Sequence, residues 1–122
     1  MIDQHPLVDY IYSDEDKINS EGARFGPYFK PDFGLELLLG QNYVSHLGVY
    51  RLDTIRAVGG FRVGFEGSQD YDLMLRVVDQ SMKPAVHIPW ILYHWRIFVG
   101  AGTFSSNFID KAADSARKAI LE

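Results

Sequence analysis

The 122-residue chain has no cysteine. Disulfides, thiolate nucleophiles and Cys-based zinc sites are therefore excluded; the compartment is left open, though a reducing cytosol fits. A basic excess is missing too. Lys and Arg number 12 against 16 Asp and Glu, a net charge of −4, which argues against nucleic-acid binding by a broad basic surface. No apolar run approaches the roughly 20 residues of a membrane span. No signal peptide is visible at Met1. Internal repeats and low-complexity tracts are absent. What remains is 47% hydrophobic and 23% charged, the balance of one small globular domain with a modest core. Aromatic residues are plentiful, with eight Phe, seven Tyr and two Trp. They suit packing, and also cleft walls that stack on flat or sugar-like ligands. The final Leu121-Glu122 reads as the junction of a removed tag.

Met1–Pro6 reads as a frayed lead-in. Val8–Tyr12, β-branched and aromatic, predicts a strand. Lys17–Gly26 reads as a loop, and Pro27–Asp32 as extended or turn-like. Phe33–Gly40 is a short helix ended by Gly40. Tyr43–Tyr50 is a strand. Asp53 or Thr54 caps a helix over Ile55–Val58, and Gly59-Gly60 stops it. Phe61–Ser68 is a glycine-bearing loop, and Ser68 caps a helix over Gln69–Gln80. Ala85–Ile88 and Trp90–Phe98 are β-type, Val99–Ser106 is a loop, and a last helix runs over Asn107–Leu121. Strands alternating with helices predict an α/β layer structure.

Three constellations suggest chemistry. Asp14-Glu15-Asp16 follows the first strand. Adjacent carboxylates repel one another, and a hard cation such as Mg²⁺ or Mn²⁺ relieves that repulsion. A solvated acidic turn is the plain alternative. Second, Glu66-Gly67-Ser68-Gln69-Asp70-Tyr71-Asp72 joins a glycine loop to a helix start. Carboxylates there are favoured by the helix macrodipole, which accounts for one Asp without any function. Third, Tyr93-His94-Trp95-Arg96 ends a β run. His94 is either a packed, hydrogen-bonded histidine or a ligand to metal or phosphate. Arg96 can pair with phosphate or with an acid.

Six segments occur in order: Tyr12-Ser-Asp-Glu-Asp-Lys17, Pro27-Tyr-Phe-Lys-Pro-Asp-Phe33, Gln41-Asn-Tyr-Val-Ser-His-Leu-Gly-Val-Tyr-Arg51, Val58-Gly-Gly-Phe-Arg62, Glu66-Gly-Ser-Gln-Asp-Tyr-Asp-Leu-Met-Leu-Arg-Val77 and Leu92-Tyr-His-Trp-Arg96. Together they resemble the second half of a bacterial family 2 glycosyltransferase catalytic domain of GT-A type, over about residues 7–120. The resemblance implies a partial GT-A fold, a mixed sheet with flanking helices that lacks the N-terminal nucleotide-binding half. The chain is then a single domain, residues 1–122, and a fragment that is inactive alone.

The resemblance also implies roles. Asp14-Glu15-Asp16 matches the DxD motif, which binds Mn²⁺ or Mg²⁺ and through it the diphosphate of a nucleotide-sugar donor. Asp16 is the expected direct ligand, with Asp14 and His94 beside it. Asp70 matches the catalytic base. The family's preceding Glu is Gln69 here, which leaves Asp72 as a second candidate. Glu66, Gln69, Trp95 and Arg96 are expected at the cleft or acceptor, a saccharide or glycan. Location is expected in the cytoplasm, including the inner face of the membrane for the parent protein. The competing reading is a non-catalytic carbohydrate- or nucleotide-binding module that keeps the fold; Gln69 and the missing half favour it.

Overall fold

A computed structural model describes residues 4, 6–81, 83, 85–98 and 109–122. The element order is β1 (Tyr10–Ile18), β2 (Arg24–Tyr28), α1 (Leu35–Gly40), β3 (Gly48–Tyr50), α2 (Leu52–Ala57), α3 (Gln69–Gln80), β4 (Val86–Arg96) and α4 (Ile109–Leu121). The architecture is mixed α/β, with one four-stranded sheet among the described residues. No helix among them is long and apolar enough to cross a membrane.

Strand β1 is the axis of the sheet. It pairs antiparallel with β3 through Tyr10↔Tyr50, Ile11↔Val49 and Tyr12↔Gly48. Further on it pairs antiparallel with β2, and along nearly its whole length it pairs parallel with β4. Since both ends of β1 are shared with β4, strands β3 and β2 follow each other along the opposite edge. Register between β1 and β4 shifts around Asp14, and Pro89 and Trp90 fall in the unmatched stretch between Ile88 and Ile91. Proline has no N–H for a ladder, so a bulge is where it belongs.

The core lies between this sheet and α3. Tyr10, Tyr12, Leu38, Tyr43, Val44, Tyr71, Leu73, Met74 and Val77 are buried together. Of the four core tyrosines, three have hydrogen-bond partners for their hydroxyls, and the buried Tyr10 hydroxyl has none among the described residues. Tyr12 donates to Pro31 O at 2.7 Å, Tyr71 donates to Leu38 O at 2.5 Å, and Tyr43 Oη accepts from the Gly34 N–H at 2.9 Å.

Several local expectations are corrected. The first strand does not stop at Tyr12 but runs through the acidic triplet to Ile18. Lys17–Gly26 is a hairpin, not a loop: Asn19 Oδ1 accepts from the N–H groups of Glu21 and Ala23, and this side-chain turn folds β2 back on β1. Of Tyr43–Tyr50 only Gly48–Tyr50 is strand, because the segment before it is held as a loop by side chains. Helix α2 starts earlier than expected, at Leu52; Thr54 does not cap it but donates to Asp9 Oδ1 at 3.0 Å. Ser68 stands at the N-cap of α3 as expected, but its hydroxyl makes no capping bond and instead donates to Ala112 O at 2.7 Å, on α4. Ala85–Ile88 and Trp90–Phe98 merge into the single strand β4. Residues 1–3 and 5 of the expected lead-in, the expected loop Val99–Ser106 and the expected helix start at 107–108 lie outside the described residues.

Candidate functional site

Asp14, Glu15 and Asp16 are consecutive in β1 and all buried. Side chains alternate along a strand, so neighbouring carboxylates diverge and meet different partners. Asp14 Oδ1 accepts from the Lys30 backbone N–H at 2.9 Å and lies 2.8 Å from Nε2 of His87, whose ring stacks on Tyr12 at 4.9 Å. Glu15 Oε2 accepts from Lys30 Nζ and from the His46 N–H, both at 3.2 Å. Asp16 Oδ2 accepts from Arg24 Nε at 2.7 Å, and Oδ1 is 2.5 Å from His94 Nδ1. Burial alone would raise the pKa of Asp16, but hydrogen bonds with His94 and Arg24 outweigh it and hold the carboxyl below the usual 3.8.

Lys30 is the hub. Its ammonium is fully buried, and besides Glu15 it donates to the carbonyls of Val44, at 2.8 Å, and His46. Burial lowers its pKa, and the charge of Glu15 opposes that. The His46 ring stacks on Tyr93 at 4.8 Å and meets Trp95 edge-on at 5.5 Å.

Parallel pairing of β1 with β4 thus brings Asp16 to His94 across 78 positions of sequence. It does not bring Asp14 there, because His87 and Lys30 engage that carboxylate. Among the described residues no three His, Cys, Asp or Glu side chains group into a site able to hold a metal ion. Asp16 and His94 are donor types that divalent cations take, but here they bond each other, and Arg24 occupies the second carboxylate oxygen.

Asp70, in the first turn of α3, is partly buried and accepts at Oδ2 from Asn42 Nδ2 at 3.2 Å. Burial pushes the nearby Tyr50 hydroxyl up to about 12, and the charge of Asp70 adds to the rise. Asp72 is different. It is buried to 1% exposure and bridges Arg62 and Arg76, the latter at 2.6 Å. Burial would raise its pKa, but hydrogen bonds from both arginines outweigh that and hold it below 3.8. Glu66 is exposed; it accepts from the Gly64 N–H at 2.9 Å and faces Lys111 at 3.4 Å, contacts that lower its pKa. Gln69 is exposed and accepts from the Gly67 N–H at 2.8 Å. Trp95 is half-buried beside His46, and Arg96 is exposed, two residues after His94 in the sequence.

Lys30, His87, His46, Arg24 and Asn42 were not legible as site residues. Each earns its place through a pairing across 8 to 73 positions of sequence. A lone His at an alternating position in Val86–Ile88 was the only local hint.

No protein-family model matches the chain. All of it is similar, at 44% identity over 123 residues, to "Uncharacterized protein y4gI" of Sinorhizobium fredii (strain NBRC 101917 / NGR234), of which it spans 14%. Over 117 residues, 96% of the chain, it is 38% identical to the O-antigen biosynthesis protein RfbC of Myxococcus xanthus, of which it spans 9%.

Proposed function

We propose that the chain is the acceptor-side part of an inverting, metal-dependent family 2 glycosyltransferase domain of GT-A type, within a longer protein of polysaccharide biosynthesis. The observation that carries this reading is the 38% identity, across 96% of the chain, to an O-antigen biosynthesis protein. The contact of Asp16 with His94 supports it. The donor is a nucleotide sugar and the acceptor a saccharide or glycan. The proposed location is the cytoplasm, at the inner face of the membrane.

A sugar hydroxyl is a poor nucleophile at neutral pH. Asp70 takes its proton as the hydroxyl oxygen bonds to the anomeric carbon. The bond from that carbon to the diphosphate oxygen breaks on the opposite side, which inverts the centre. Asp16 and His94 would hold Mn²⁺ or Mg²⁺, which when bound supplies Lewis-acid neutralisation of the leaving diphosphate. Asp14 keeps His87 and the chain at Lys30 in place beside them. Trp95, Arg96, Glu66 and Gln69 line the approach of the sugars.

The test is turnover by the full-length protein. Asp70→Asn is expected to cut kcat by about two to four powers of ten while donor binding survives. Near-normal turnover of that variant would remove Asp70 as base. A second reading, a non-catalytic binding module, is favoured by Gln69 standing where the resemblance expects an acid. Donor binding by the full-length protein without transfer or hydrolysis would establish it.

A further inference from the structure

We infer that Asn42 is a positioning residue for Asp70, delivered by a loop that Lys30 anchors; this rests on Asp70 acting as the base. Residues 41–47 run between the two acidic clusters. At the far end, the buried Lys30 ammonium binds the carbonyls of Val44 and His46, and Glu15 accepts the His46 N–H. In the middle, Tyr43 and Val44 are buried in the core. Between Val44 and His46, Ser45 adopts a positive φ of +28°, outside the range that non-glycine residues favour, and closes the turn back on Asn42. Its N–H donates to Asn42 Oδ1 at 3.4 Å and its hydroxyl to Asn42 O at 3.3 Å.

These contacts fix which way the Asn42 amide faces. Its oxygen is taken by a donor, the Ser45 N–H, so its NH₂ group must face Asp70, whose carboxylate can only accept. One carboxylate oxygen, Oδ2, is therefore tethered. Among the described residues the other makes no hydrogen bond, and it is left to meet an acceptor hydroxyl. A base held at one oxygen presents the second in a defined direction, which is what proton transfer in a crowded cleft needs. Neither the acid motif nor the helix start supplies this donor.

The experiment is steady-state kinetics of the full-length protein with two substitutions, alone and with Asp70→Asn. Asn42→Ala removes the amide. Asn42→Asp keeps the shape and the acceptor for Ser45, but it replaces the donor with a second carboxylate that repels Asp70. Both are expected to lower kcat about 10- to 100-fold with donor KM unchanged. In the Asp70→Asn background, neither is expected to lower the remaining rate further. Wild-type kcat for Asn42→Asp, with Asp70→Asn inactive, would overturn the role of Asn42 and leave the base standing. An added loss in the Asp70→Asn background would also overturn it, since Asn42 would then act elsewhere. Wild-type kcat for both Asn42→Asp and Asp70→Asn would overturn the base as well.

Discussion

Asp70 and Asp72 stand two residues apart on α3 and live in different surroundings, because i and i+2 do not share a helix face. Asp70 is at the rim with Asn42, whereas Asp72 is sealed between Arg62 and Arg76. Asp72→Asn leaves two guanidinium groups without their buried counter-charge and is expected to cost about 3 kcal/mol in urea unfolding. Asp70→Asn is expected to stay within about 0.5 kcal/mol. The Asp72 carboxyl has a lower pKa folded than unfolded, so its stabilisation is present above the unfolded value and disappears as pH falls through the folded one. The stability gap between wild type and Asp72→Asn should therefore close below about pH 4. Lys30→Met strands the buried Glu15 and two carbonyls and is expected to lose about 3–5 kcal/mol. Adding Glu15→Gln should recover part of that loss, and no recovery would show that the ion pair is not what Lys30 supplies.

Among the elements, the segment between α2 and α3 shows how an ordinary loop sequence becomes a fixed joint. Gly67 has φ +94°, and a Cβ placed there would lie 3.1 Å from Ala112 on α4. Ser68 and Ser115 tie the same junction, through Ala112 O and Glu66 O. Gly67→Ala thus meets both a backbone penalty and a clash, and about 2–3 kcal/mol of lost stability is expected. Gly59 has a similar φ of +82° but open space around it, so Gly59→Ala should lose only about 1 kcal/mol. Thermal unfolding of the two variants side by side separates conformation from packing. Equal losses would mean that α4 yields to the added methyl. The glycines were visible in the sequence as loop markers, but the approach of α4 that makes Gly67 special was not, since Ala112 is 45 positions away.

The molecule as a whole spans 14% or less of the two relatives it matches. On the proposed reading the base and ribose of the donor bind outside these residues, so the 122-residue chain alone is expected to show no sugar transfer. Measurable turnover by it with any nucleotide sugar would count against that division of labour. What the sequence alone determined is local: the amphipathic period of α3, the α/β alternation, and the order of six acidic, aromatic and glycine motifs. These follow from side-chain periodicity and backbone preference, which need no distant partner. Tertiary structure decided the rest. A triplet of carboxylates that reads as the end of a strand becomes its buried interior only because Lys30, Arg24, His87 and His94 arrive from other strands and loops to pair with it. The ends of β1 and the state of its acids are therefore set by charge compensation across the sheet, which no local window of the sequence contains.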